Sequence, residues 1–172
     1  MTLLEIISEY RDEAQRLLLF IVVASALRWG AGPERAAALT FVAMLLGDST
    51  YHLIFGPGVN LLTLDIGHAT IDFAAMVAFT TIAVAANRNY TLWIGALQIV
   101  AALAHVARNL DDAISPLVYA IMFFAPSYFQ IGLLGAGLVC HCRRSQIHGT
   151  YRSWRTSSPP SWATGRLSWL DA

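Results

Sequence analysis

The chain contains no lysine. All eleven of its basic residues are arginine, and eleven acidic residues bring the net charge to zero. No basic stripe marks a nucleic-acid surface. Charge of either sign is scarce: Asp, Glu, Lys and Arg make up 13% of the 172 residues, about half the share of a soluble domain. Cys140 and Cys142 are the only cysteines, and their spacing excludes a disulfide framework. Catalytic signatures are missing as well. There is no H-E-x-x-H, no G-x-S-x-G, no Walker or dinucleotide glycine pattern, and no triad around Ser49 or Ser115. The reading therefore leans away from an enzyme. No internal or inverted repeat of the transporter kind is visible. The first sixteen residues carry Glu5, Glu9, Asp12 and Glu13 where a secretory signal would be basic.

What the chain does contain is apolar sequence in long blocks. Hydrophobic residues account for 56% of it, and the mean hydropathy is +0.55. Too little polar surface remains for a water-soluble globule of this size, and blocks of this length mark membrane spans. The expected fold is all-α, a polytopic transmembrane bundle. Residues 1–16 form an amphipathic interfacial helix, with Leu3, Ile6, Ile7, Tyr10 and Ala14 at helical spacing. Residues 17–142 form the bundle, and residues 143–172 an Arg-, Ser- and Trp-rich tail. Five spans are expected: Leu17–Gly30, Arg35–Phe55, Leu61–Ala86, Thr91–Ala107 and Ala113–Cys140, the last kinked at Pro126. The count falls to four if the short first span only dips into the bilayer. From Ser145 onward no period is visible, so the tail reads as disordered or surface-lying, with Trp154, Trp162 and Trp169 in the headgroup region.

Arginine sets the orientation. With the C-terminus in the cytoplasm of a bacterial inner membrane, Arg28, Arg35, Arg88, Arg143, Arg144, Arg152, Arg155 and Arg166 lie inside, and only Arg11, Arg16 and Arg108 lie outside.

Ionisable residues within spans are costly and point to function or to helix fastening. Asp48 and His52 share a face of span two, and Asp65, His68 and Asp72 share a face of span three. In span four, Gln98, His105, Arg108, Asn109 and Asp112 fall on one side. Asp48 and His68 are each ten residues from Gly58, while His52 is six before it and Asp65 seven after. An antiparallel hairpin then pairs Asp48 with His68 and His52 with Asp65, about 15 Å and 9 Å from the turn. Asp72 lies deeper. The periplasmic half thus collects three histidines, three aspartates and Arg108, with nothing comparable expected at the cytoplasmic end.

Several functions fit such a cluster. Asp–His and Asp–Arg pairs can fasten helices, which suits an accessory or structural subunit of a membrane complex, or a homo-oligomer. His52, His68 and His105 with Asp48, Asp65 or Asp72 can instead hold zinc, iron, manganese or copper(II). A relay of Asp and His can move protons or ions, although the polar path stops near Asp72. A b-type haem between His68 and His105 is the least favoured. Cys140 and Cys142 with His148 form a second, weaker candidate for zinc. The orientation is open to a direct check: a C-terminal reporter active only in the periplasm should stay silent.

Overall fold

The apolar blocks fold as helices. A computed structural model describes residues 3–56, 65–110, 116–149 and 151–155. Within them run α1 (Leu3–Trp29), α2 (Gly32–Phe55), α3 (Ile66–Ala85), α4 (Asn89–Leu110) and α5 (Pro116–His148). Three of these, α2, α3 and α4, are both long and apolar enough to cross a membrane. At 1.5 Å per residue each covers about 30 Å or more, the thickness of the hydrocarbon layer. Helix α1 is continuous, with no break between the expected interfacial segment and the first span.

Each helix packs against the next in sequence, and α5 returns to lie against α1 and to touch α2. Short connectors enforce this order. Only Gly30 and Ala31 separate α1 from α2, and residues 86–88 separate α3 from α4. The interior is built from small side chains around a few large ones. Ala26, Ala37, Ala38 and Ala75 surround Phe41, Phe79, Ile94, Leu134 and Leu138, so the backbones approach closely, as membrane helices do. Gly137 serves the same purpose, because a Cβ there would strike the ring of Tyr90. The exterior carries the large apolar residues. Leu53 is 87% exposed, and Phe20, Ile66 and Leu110 are also exposed, whereas Glu34, His68, Asp72, Arg88, Gln98, His105 and Gln130 are buried. This inverts the pattern of a water-soluble protein.

Two expectations about the C-terminal end are corrected. Helix α5 does not stop near Cys142 but continues to His148. A helix can continue through polar residues that have no apolar period, so the polar run Arg143–Gln146 hides its end in the sequence. Gly149, at φ 69°, then terminates it. The chain next folds back onto the bundle. Trp154 bridges Ala86, the Asn87 amide donates to the Ser153 carbonyl at 3.0 Å, and the Arg155 amide donates to the Ala85 carbonyl at 2.8 Å. The Trp154 indole lies against Gly32, where any side chain would collide with it. Residues 151–155 are therefore a docked strap, and Trp154 is tied to the bundle. The Pro57–Gly58 turn, Leu61, Asp111, Asp112, Trp162, Arg166 and Trp169 lie outside the described residues.

The end of the bundle that holds this strap is not devoid of polar structure, contrary to expectation. Glu34 is fully buried. Its Oε1 accepts from Arg88 Nε at 3.2 Å and from the Tyr90 hydroxyl at 2.8 Å, and its Oε2 accepts from the Ala31 amide at 3.1 Å. The last of these bonds satisfies an amide at the start of α2. One carboxylate thus starts α2 and fastens it to the head of α4. Removing it strands the Arg88 charge in the interior, so Glu34→Ala should destabilise the bundle by about 3–5 kcal/mol. Reversible unfolding in mixed detergent micelles measures this, and a wild-type midpoint would refute it.

Candidate functional site

Helix ends position the candidate site. Asp48 and His52 occupy the last two turns of α2, one turn apart on one face. Gly56, which ends α2 with φ 95°, holds His52 twice: its amide donates to the His52 carbonyl at 3.0 Å, and its carbonyl lies 3.0 Å from His52 Nδ1. Such a φ is easy only for glycine. On α3, Asp65 is the N-cap. Its Oδ1 accepts from the amides of Gly67 and His68 at 3.1 and 3.3 Å, and its Oδ2 lies 2.8 Å from His68 Nδ1. The expected pairing of Asp65 with His52 does not form. The capping carboxylate is turned toward its own helix and toward the Tyr51 hydroxyl of α2, so it answers Tyr51 and not His52.

The expected approach of Asp48 to His68 does occur, at 3.1 Å between Oδ1 and Nε2. His52 completes a triangle with them. Its Nε2 lies 3.5 Å from Asp48 Oδ1 and 3.3 Å from His68 Nε2. The Tyr51 ring stands edge-on to His68, with centroids 5.0 Å apart, and lies over Gly67, where a Cβ would displace it.

The protons in this triangle follow from its neighbours. A carbonyl and a carboxylate only accept, so the Nδ1 atoms of His52 and His68 must both carry hydrogen. When both rings are neutral, the two Nε2 atoms present lone pairs, and they face each other and a carboxylate oxygen. In that state the three electron-rich atoms at 3.1–3.5 Å repel one another unless a proton or a metal ion lies between them. The spacing suits a metal. Ligands about 2.0–2.1 Å from a tetrahedral zinc are about 3.3–3.4 Å apart. Both imidazoles also have the Nδ1 partners that orient metal-bound histidines. Among the described residues, these three form a group able to hold a metal ion.

Asp72 and His105 belong to a second, deeper group. Asp72 Oδ2 lies 2.9 Å from His105 Nε2, and Oδ1 accepts from Gln98 Nε2 at 2.9 Å. Gln98 Oε1 in turn accepts from Gln130 Nε2 at 3.0 Å. This chain ties α3, α4 and α5 together. Gln130 was missed in the sequence, although a lone amide within an apolar span is a visible signal. The two groups share a cavity of about 190 Å³, whose wall includes Asp48, His68, Asp72 and Gln130. Gln15 of α1 bonds Ser127 of α5 at 2.8 Å on the same cavity's wall.

The histidines that a haem would join are held in different groups, His68 by Asp48 and Asp65, His105 by Asp72. Arg108 is buried near the end of α4. Cys140 and Cys142 are free thiols. Two residues apart on α5, they point about 200° from each other. Cys142 packs against the apolar core while Cys140 is exposed, and His148 stands nearly two turns further on. The helix therefore does not gather these three around one ion.

No protein-family model, curated protein or solved structure matches the chain.

The deep group predicts a contrast between two substitutions. Asp72→Ala removes the acceptor of both Gln98 and His105 and should cost about 2–5 kcal/mol. Asp72→Asn keeps an oxygen for Gln98, and His105 can adopt its other tautomer to accept from the new amide. Its cost should be about 1 kcal/mol or less. Equal losses in detergent unfolding would contradict this wiring.

Proposed function

We propose that the chain is a multi-pass membrane protein that holds one divalent transition-metal ion between Asp48, His52 and His68. The observation that carries this reading is the set of three facing acceptor atoms, 3.1–3.5 Å apart. Contacts of their Nδ1 atoms with the Gly56 carbonyl and the Asp65 carboxylate orient the two imidazoles. Two imidazoles and one carboxylate suit zinc or non-haem iron(II). Three ligands leave at least one coordination position for water or a small molecule, and the cavity beside Asp48 and His68 supplies space for it.

The site lies at the end of the α2–α3 hairpin rather than mid-bundle. Asp48 and His52 are partly exposed while His68 is buried. A metal can therefore arrive from the aqueous side without crossing apolar packing. In the orientation that the arginines favour, that side is the outer one. Helices α1 and α5 complete five spans in this reading, and the α1 charges remain near the outer surface. The Asp72 group acts as the helix fastener, since each of its polar atoms named above is met by a neighbour.

Metal analysis of the full chain in mild detergent tests the reading. Wild type, stripped with chelator and reloaded, should bind one zinc or iron(II) per chain. His52→Ala and His68→Ala should bind none. Asp65→Asn, which keeps an oxygen for the α3 cap but loosens the hold on His68 Nδ1, should weaken binding about 10–100-fold. Asp72→Asn should leave the stoichiometry unchanged. Affinity should fall on acidification, because a protonated imidazole has no lone pair to give. A folded wild type that binds no metal would overturn the proposal and leave a shared proton as the cation between the lone pairs.

A further inference from the structure

At the opposite end of the bundle, a second cavity opens between the head of α4, the C-terminal half of α5 and the strap. It measures about 450 Å³, and its wall includes Arg88, Asn89, Tyr90, His141, Arg144 and Tyr151. The Arg88 side chain is only 7% exposed, and the fate of its donors can be followed. Nε donates to Glu34. Nη1 donates to the carbonyls of Asn87 and Arg152, at 3.1 and 3.4 Å. Nη2 is buried and meets no acceptor. A buried ionised donor left without an acceptor is among the costliest vacancies in a fold.

The surroundings reinforce this deficit of negative charge. The Arg88 guanidinium lies 4.5 Å from the centroid of the Tyr151 ring, and the Arg144 guanidinium lies at the same distance from that ring. Tyr151 is in turn fixed by its hydroxyl, 2.8 Å from His141 Nδ1. Among the described residues, the one carboxylate in contact with Arg88 is Glu34, which is not in the cavity wall and already serves Arg88, Tyr90 and the Ala31 amide. Helix α4 starts here, so the positive end of its dipole adds to the field. Two arginines, one unanswered N–H edge and a helix N-terminus require an anion with several acceptor oxygens.

We propose that this cavity binds a phosphate group, and that in the membrane the group is the headgroup phosphate of an anionic lipid. The cavity lies at the ends of two long apolar helices, where headgroups reside, and Leu133 and Ala136 give its wall an apolar side for the attached chain. Arg88 supplies the free Nη2 edge and Arg144 the second cation. Tyr151 holds both in place, so the strap is part of the site.

The test uses the full chain, delipidated in a neutral detergent, with thermal unfolding as the readout. A ligand that binds only the folded state raises the midpoint. Short-chain phosphatidylglycerol should raise the wild-type midpoint by several degrees, and phosphatidylcholine at the same concentration should raise it much less. Arg144→Gln should lose most of that shift. Arg144 is exposed, so this variant should unfold close to wild type without lipid, which separates lost binding from lost folding. Inorganic phosphate is compared with sodium chloride at equal ionic strength. A shift with phosphate as large as with phosphatidylglycerol, abolished by Arg144→Gln, would keep the site and assign it to soluble phosphate, overturning the lipid assignment. No shift with either ligand, or an undiminished shift in Arg144→Gln, would overturn the site itself. Because none of these readouts involves the Asp48–His52–His68 triangle, the result is independent of the metal proposal.

Discussion

A polar side chain inside an apolar bundle has no solvent to turn to, so another group of the protein must answer it. That constraint organises this molecule. Many large aliphatic residues face outward, and the interior combines alanines, a few large apolar side chains and a set of polar groups. Polar groups join several of the packed helices. Glu34 joins α2 to the head of α4, Asp72 and Gln98 join α3 to α4, Gln130 carries that chain to α5, and Gln15 with Ser127 closes α1 on α5. Each bond gains strength from the low dielectric around it, and each would be costly if left half made.

Two places among the described residues invite a ligand, and they lie at opposite ends of the bundle. At the α2–α3 end, two imidazole nitrogens and a carboxylate oxygen converge within 3.1–3.5 Å of one another. At the α4–α5 end, a guanidinium edge faces no acceptor. The first arrangement calls for a cation and the second for an anion. Both depend on residues that serve the fold at the same time. Asp65 caps α3 and orients His68, and Glu34 starts α2 and orients Arg88. Such double duty fixes a site tightly, because moving the side chain would also unwind the end of a helix.

Hairpin register accounts for what could be read in advance about the site. Asp48 and His68 stand at equal distances from the turn, and they meet. The same arithmetic fails for His52 and Asp65, since equal depth says nothing about which way a capping carboxylate turns. His52 therefore joins the other pair. Asp72 and His105 were placed in one half of the bundle with Asp48 and His68, yet hydrogen bonding divides them into two groups around a shared cavity. No local pattern announced the Glu34–Arg88–Tyr151 cluster. Its members come from the start of α2, the start of α4 and the strap, and only the return of α5 and the strap brings them together.

Composition and block length by themselves determined an all-helical chain with segments able to cross a membrane, because spanning helices need long uninterrupted apolar runs. Spacing on single helices determined which polar residues share a face, because 3.6 residues per turn leaves little choice. The tertiary structure decided the rest. It set which faces meet, which groups the described histidines approach, where α5 ends, and that the strap returns. These depend on contacts between residues far apart in the chain, and on the direction in which each polar group finds its partner, and neither is written in local sequence.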